Sequence, residues 1–141
     1  MALSSVLFLL LPTFSDADST VNLETTVVSA NRTEQRIENT TVSIDVLPQR
    51  LLTSKSNSRI EQVIQMSPGV TIQDGQANIR SGSGWSLGAG SRVLLLVDDL
   101  PVLSPDAGGA IWNAMPMEAI EQIEIVKGAA SSLYGSSALN G

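Results

Sequence analysis

The sequence contains no histidine and no cysteine. Zinc sites built from imidazole or thiolate ligands are therefore excluded. Cysteine nucleophiles, disulfides and the Ser-His-Asp triad are excluded for the same reason. These two absences narrow the catalytic and metal-binding chemistry that the chain can perform.

Basic and aromatic residues are also scarce. The 141 residues include 8 Lys and Arg against 14 Asp and Glu, a net charge of −6. A chain this acidic lacks the basic patch that binds phosphates, so nucleic acid is not an expected partner. Both phenylalanines, Phe8 and Phe14, lie near the start, and we expect one domain with an aliphatic core.

The start of the chain is an apolar run, Val6–Leu11. It is shorter than the ~20 residues that a membrane-spanning helix needs. The run fits the hydrophobic part of a secretory signal peptide, followed by Pro12 and by small residues up to Ala17. We predict a signal peptide over residues 1–17, with a buried strand or helix as the alternative.

Residues 18–41 are rich in Thr, Ser and Asn, which predicts a flexible N-terminal arm. Its stretch Leu23–Ala30 contains the β-prone pair Val27-Val28. Two interpretations remain open on composition. The pair is an accidental strand in a flexible arm, or it is a strand that adds to the sheet edge of a partner.

From Val42 to Gly141 the pattern predicts an α+β domain, a small mixed β-sheet with short helices. Ser58 and Glu61 form a predicted capping box before a helix that Pro68-Gly69 ends. The other predicted elements are a strand at Val42–Val46, a helical turn after Pro48, a hairpin turning at Asp74-Gly75, a short helix at Pro116–Glu121, a strand at Ile123–Val126 and helical turns at Ala129–Tyr134.

The run Val93–Val97 predicts the strongest strand, buried on both faces. Asp98-Asp99 follows it, and Asp106 is close in sequence. We interpret these aspartates as turn residues. The alternative is an enzyme that uses Asp98, Asp99 and Asp106 with a bound cation.

Two glycine-rich loops, Ser81–Ser91 and Ser104–Ala114, each carry one tryptophan. The first does not match a phosphate-binding loop, because the third glycine and the Gly-Lys-Ser/Thr sequence are missing. A tryptophan in such a loop indicates either contact with a partner or ligand, or packing back onto the domain.

Several motifs in the right order resemble the plug domain of TonB-dependent outer-membrane receptors. They are Pro68-Gly69-Val70, Asn78-Ile79-Arg80, Arg92–Pro101 and, above all, Ile120–Gly128 followed by Tyr134–Ala138. Ser81 and Asp99 stand where many relatives have Gly, and Asp tolerates the turn conformation required. The resemblance extends from about Glu24 to Gly141.

The resemblance implies a gating role and no catalytic residues or cofactor. The family's plug blocks a 22-stranded barrel in the outer membrane, and its ligands include iron chelates, cobalamin and saccharides. The periplasmic protein TonB pairs with a strand called the TonB box. The residues that match it are Glu24, Thr25, Thr26, Val27, Val28, Ser29 and Ala30. The alternative is that this segment is the first strand of the plug. The candidate ligand-facing residues are Ser83, Gly84, Trp85, Ser86, Asp106 and Trp112.

In the family, a last plug strand and a barrel follow the point at which Gly141 stands. We therefore expect this chain to be the N-terminal part of a receptor, with an unpaired sheet edge. A free-standing periplasmic binding or signalling module with the plug fold is the alternative.

Overall fold

The computed structural model describes residues 25–29, 32–53, 59–82, 84–86 and 90–141. The predicted signal peptide, Glu24, Ala30 and Ser83 lie outside these ranges. The strands are β1 (Thr26–Val27), β2 (Gln35–Arg36), β3 (Ile44–Pro48), β4 (Val70–Gln73), β5 (Gln76–Ile79), β6 (Trp85–Ser86), β7 (Gly90–Ser91), β8 (Leu96–Val97), β9 (Leu100–Pro101) and β10 (Gln122–Val126). The α-helices are α1 (Gln49–Thr53), α2 (Ile60–Ile64) and α3 (Ser131–Tyr134). Within these ranges, no helix is long and apolar enough to cross a membrane.

The longest pairing joins two strands that are far apart in sequence, β3 and β10. They run antiparallel over five residues each, with Leu47 opposite Ile123 and Asp45 opposite Ile125. The core packs against this pair and is aliphatic, as the composition predicts. Its buried members are Leu47, Leu52, Val63, Ile64, Val70, Ala77, Ile79, Val93 and Ile125.

Local turn chemistry explains the hairpin of β4 and β5. Asp74 and Gly75 connect them with φ angles of 49° and 75°. Positive φ at both central residues suits the twist of a two-residue hairpin, and Asp-Gly is a favoured pair there. The predicted hairpin is confirmed. The predicted capping box before α2 is not, because the N-cap is Arg59, whose guanidinium contacts Glu61 at 2.8 Å. Ser58 lies outside the described residues.

The prediction of a strand buried on both faces at Val93–Val97 is wrong. Leu96 and Val97 alone form a strand, which pairs with β9, and Leu94–Val97 are half-buried. The reason is the turn at Asp98 and Asp99, whose φ angles of 48° and 64° fold the chain straight back. The two aspartates are therefore turn residues, as interpreted from the sequence.

The elements after Pro116 follow their sequence signals. A 3₁₀ turn at Met117–Ala119 precedes β10, and α3 ends at Gly135 with φ of 87°. This left-handed conformation is one that glycine adopts without a steric penalty. The predicted short helix, strand and helical turns are confirmed.

The described part of the predicted arm, 25–29 and 32–41, lies against the domain. β1 pairs antiparallel with β2, with Thr26 opposite Arg36 and Val27 opposite Gln35. The Val27 side chain is fully buried beside Ile44, in a small apolar cluster with Ile37, Val42, Val46 and Val126 around it. Of the β-prone pair, Val27 therefore packs on β3 and β10, whereas Val28 is exposed.

Candidate functional site

The two glycine-rich loops meet beside the β4–β5 turn. Ser91 donates its backbone N–H to Gly108 O, which joins one loop to the other. Trp112 Nε1 donates to Gly75 O at 2.6 Å, and Ala110 N–H donates to the Gln76 side chain. The structure thus brings the candidate residues Gly84, Trp85, Ser86, Asp106 and Trp112 onto loops that contact a common hairpin.

Gly84 is buried in this cluster, at a point where the neighbouring backbone leaves no room for a side chain. A Cβ at Gly84 would lie 1.6 Å from Ala77 O. Its N–H donates to Asn78 Oδ1 at 2.6 Å, and its carbonyl accepts from Arg92 N–H. Gly84 therefore allows the close backbone approach that a glycine in a β-rich segment often marks.

Asp106 occupies the exposed tip of the second loop. Hydrogen bonds from the Ala107 N–H, from Ser104 and from its own backbone lower the pKa of its carboxyl group. Asp98 and Asp99 belong to the separate β8–β9 turn. Within the described ranges, no three acidic side chains come close enough to hold a metal ion. The structure does not assemble the three aspartates into one site.

The described part of the candidate TonB box, Thr25–Ser29, contains β1, and backbone groups on both edges of this segment are hydrogen-bonded. We call it the box segment. One edge pairs with β2, and Thr25 O also accepts from Ile37 N–H at 3.1 Å. On the other edge, Thr26 O accepts from Gln122 Nε2 at 3.2 Å.

The Glu124 carboxylate accepts the next donor on that outer edge, which is the Val28 N–H, and one donor of the turn that follows. It accepts the Val28 N–H at 3.0 Å and the Ser29 N–H at 2.8 Å. Tyr134 Oη donates to Ser29 O at 2.8 Å, while the Arg32 guanidinium lies 4.7 Å from the ring centre of Tyr134. Burial and the Asp99 carboxylate raise the pKa of Tyr134, and its phenol donates the hydrogen bond to Ser29 O.

Sequence reasoning missed Gln122, Glu124 and Tyr134 as site residues. Glu124 and Tyr134 belong to the motifs that carry the resemblance, yet their contacts with the box segment span 95 residues or more. No local pattern predicts such a pairing. The signal that was available was the motif itself, which places polar Gln122 and Glu124 on the same strand.

A cavity of about 730 Å³ lies between β10 and the run Leu94–Val97. Its walls include Val28 and Tyr134 from the box region and Trp112 from the loop cluster. Gly141 also lines it, and its carbonyl accepts the Leu94 N–H at 3.0 Å. The cavity therefore borders both sets of candidate residues.

An ion pair joins Lys127, the residue after β10, to Asp45 on β3. Lys127 is 8% exposed, and its Nζ lies 2.5 Å from Asp45 Oδ2 and 2.6 Å from Pro68 O. Ser67 Oγ donates to the same carboxylate. Burial raises the pKa of Asp45, but hydrogen bonds from Lys127 and Ser67 outweigh it, and the net pKa is lowered.

The family model described as TonB-dependent Receptor Plug Domain matches residues 36–141. The chain belongs to this family. The match covers the β3–β10 pair, both loops and the residues Gln122, Glu124 and Tyr134. The family places the chain at the outer membrane, and its α+β fold of short strands and helices is the one the resemblance implies.

Several relatives are similar over most of this chain. A vitamin B12 transporter of Vibrio vulnificus is 34% identical over 84% of the chain and 19% of its own length. One from Photobacterium profundum is 31% identical over 89% of the chain and 20% of its own length. An iron-regulated outer membrane virulence protein of Vibrio cholerae is 34% identical over 88% of the chain. The chain spans about a fifth of the length of these curated relatives.

Proposed function

We propose that this chain is the gating plug of a receptor that takes up a small molecule actively, and that TonB energises it through residues 24–30. The observation that carries the proposal is the position of the box segment. It precedes the family match at 36–141 by a few residues, and its Val28 N–H donates to Glu124 on β10. A chain of this kind performs no catalysis. Its role is to block a pore and to move when a strand near its N-terminus is pulled.

The proposed contact with TonB is a strand added to the outer edge of the box segment. In a β-strand, successive residues direct their backbone groups to opposite edges, so Thr26 and Val28 share an edge. Thr26 O and Val28 N–H are the groups that a partner strand would use. Both are polar groups that β2 does not pair.

Replacement of Val28 tests this contact. Val28→Pro removes the backbone donor and should abolish binding of the periplasmic domain of TonB to the full chain. Val28→Ala is the matched control, because it keeps the N–H and removes only a side chain that is 39% exposed. Equal binding by the Val28→Pro variant and the unchanged chain would refute the role of this edge.

The proposed ligand class follows from the named relatives. Vitamin B12 transporters of two genera match this chain, so a corrinoid is the first ligand to test, and an iron chelate is the second. The loop cluster at the β4–β5 turn is the proposed contact surface on the plug.

Amide chemical-shift mapping of the full chain with cyanocobalamin checks this surface. The expected shifts fall on residues 75–76, 84–86 and 106–112. Shifts confined to the other described residues, or none at saturating probe, would contradict the assignment of these loops. Ferric chelates, added separately, distinguish the two ligand classes.

A further inference from the structure

The tip of the second glycine-rich loop, Ser104–Ala114, holds its own shape. Ser104 N–H donates to Gly109 O at 2.7 Å, and Gly109 N–H donates back to Ser104 Oγ at 3.1 Å. Gly108 N–H donates to Ser104 O at 2.9 Å. One serine thus closes the loop around the tip at residues 105–108. A loop closed by its own bonds is a compact unit, so its position on the domain depends on contacts with neighbouring elements.

Gln76, at the start of β5, makes the first of these contacts. Leu103 and Ala110 face each other as an antiparallel bridge, and the bonds that flank this bridge leave the Ala110 N–H pointing away from Leu103. Gln76 Oε1 accepts this N–H at 3.3 Å. The other amide atom of Gln76 faces the same loop, because a Cβ at Gly109 would lie 2.7 Å from Gln76 Nε2.

The indole of Trp112 makes the second contact with the same turn. Its Nε1–H donates to Gly75 O at 2.6 Å, and its ring packs against the hydrophobic core. The turn that receives the bond is held by the pairing of β4 with β5. An indole has a single N–H donor, so the donor of Trp112 is used inside the domain and is not available to a ligand.

The first glycine-rich loop depends on the same hairpin. Gly84 N–H donates to Asn78 Oδ1 on β5 at 2.6 Å. Farther along this loop, Ser91 N–H donates to Gly108 O in the tip of the second loop at 3.2 Å. The β4–β5 hairpin therefore contacts both loops, and the contact between the loops depends on where the second loop lies.

We propose that Gln76 and Trp112 are positioning residues that hold the second loop on the β4–β5 turn and against the first loop. We call their two contacts the loop attachment. This inference rests on the proposed function for the ligand, but not for the attachment itself. Loops that are already held in place lose less conformational entropy when a ligand binds. If the second loop leaves the turn part of the time, the apparent ligand affinity falls with the fraction of chains in which the loop is held.

Amide hydrogen exchange of the full chain tests the loop attachment without any ligand. In Gln76→Ala, the Ala110 amide loses its acceptor and should exchange about two- to tenfold faster. Trp112→Phe keeps an aromatic ring at the core and removes the donor to Gly75 O. In both variants the Ser91 amide should also exchange faster, because its acceptor lies on the released loop. Gln76→Glu keeps an acceptor oxygen and should keep the exchange rates of the unchanged chain.

Two controls separate the loop attachment from general stability. Gln73→Ala is the matched variant, because Gln73 pairs with Gln76 across the turn and is exposed. The Ile125 amide, in the β3–β10 pair, reports on global unfolding and should keep its rate. Unchanged exchange at Ser91 in both Gln76→Ala and Trp112→Phe would overturn the positioning role. An equal increase in Gln73→Ala, or at Ile125, would overturn it as well.

Titration of the full chain with cyanocobalamin is the second readout. Gln76→Ala and Trp112→Phe should bind this probe several-fold more weakly than the unchanged chain, and Gln76→Glu should bind it equally. Faster exchange at Ser91 with no cyanocobalamin binding by any chain supports the loop attachment and contradicts the proposed ligand. Faster exchange with equal cyanocobalamin affinity would overturn the positioning role.

Discussion

Lys127, the residue after β10, contacts Asp45 on β3 through an Nζ–Oδ2 distance of 2.5 Å, and the lysine side chain is 8% exposed. The same ammonium group donates to Pro68 O, and Ser67 donates to the same carboxylate. One ion pair therefore connects both long strands with the turn after α2.

Removal of Asp45 should destabilise the domain. Asp45→Ala leaves the buried Lys127 charge without its carboxylate. Breaking a buried ion pair costs more stability than breaking a surface ion pair. Because Asp45 is itself 31% exposed, we expect a loss of about 2–3 kcal/mol in the free energy of unfolding. Urea unfolding measures the loss, with Glu38→Ala, an exposed glutamate, as the control. A loss equal to that of the control would contradict a stabilising role for the pair.

The Asp45 carboxylate should make the free energy of unfolding depend on pH. The pKa of Asp45 is lowered in the folded chain from its ordinary value of 3.8. The folded state therefore binds fewer protons than the unfolded state, and its extra stability is complete above that value. This stability is lost as pH falls from about 4 through the lower folded pKa. Urea unfolding between pH 2 and 6 should show a steeper decline for the unchanged chain than for Asp45→Asn, and parallel curves would contradict it.

Gly84 should tolerate no side chain. A Cβ there would overlap Ala77 O at 1.6 Å, so Gly84→Ala must move β5 or the loop, at a cost of about 1–3 kcal/mol or more. Thermal unfolding measures the loss of stability. Asn113→Ala, an exposed change in the other loop, is the control. A melting temperature unchanged by Gly84→Ala would contradict the close contact.

The elements that the sequence predicts well are those with a local cause. Asp74-Gly75 favours a two-residue hairpin turn through its own backbone preferences. Gly135 ends α3 independently of what the helix packs against. Pro116 with Glu118 likewise marks the start of a short helical turn. These signals need no knowledge of the tertiary fold.

The strand prediction for the run Val93–Val97 is wrong because that prediction depends on the tertiary fold. A continuous apolar run is compatible with a buried strand, but whether it pairs depends on a partner elsewhere in the chain. Here β9 is the partner of Leu96 and Val97, and Leu94 binds the Gly141 carbonyl. The contacts of Glu124 and Tyr134 with the box segment are invisible to sequence patterns for the same reason, because they join residues at opposite ends of the domain.

The proposed function requires that TonB pairs with the outer edge of the box segment. Amide chemical-shift mapping of the full chain with the periplasmic domain of TonB tests it most directly. On pairing, Val28 N–H should shift and acquire a hydrogen bond to a backbone carbonyl of TonB, and the Ser29 amide should shift as its bond to Glu124 changes. Shifts that leave both amides unchanged while other surfaces respond would contradict it.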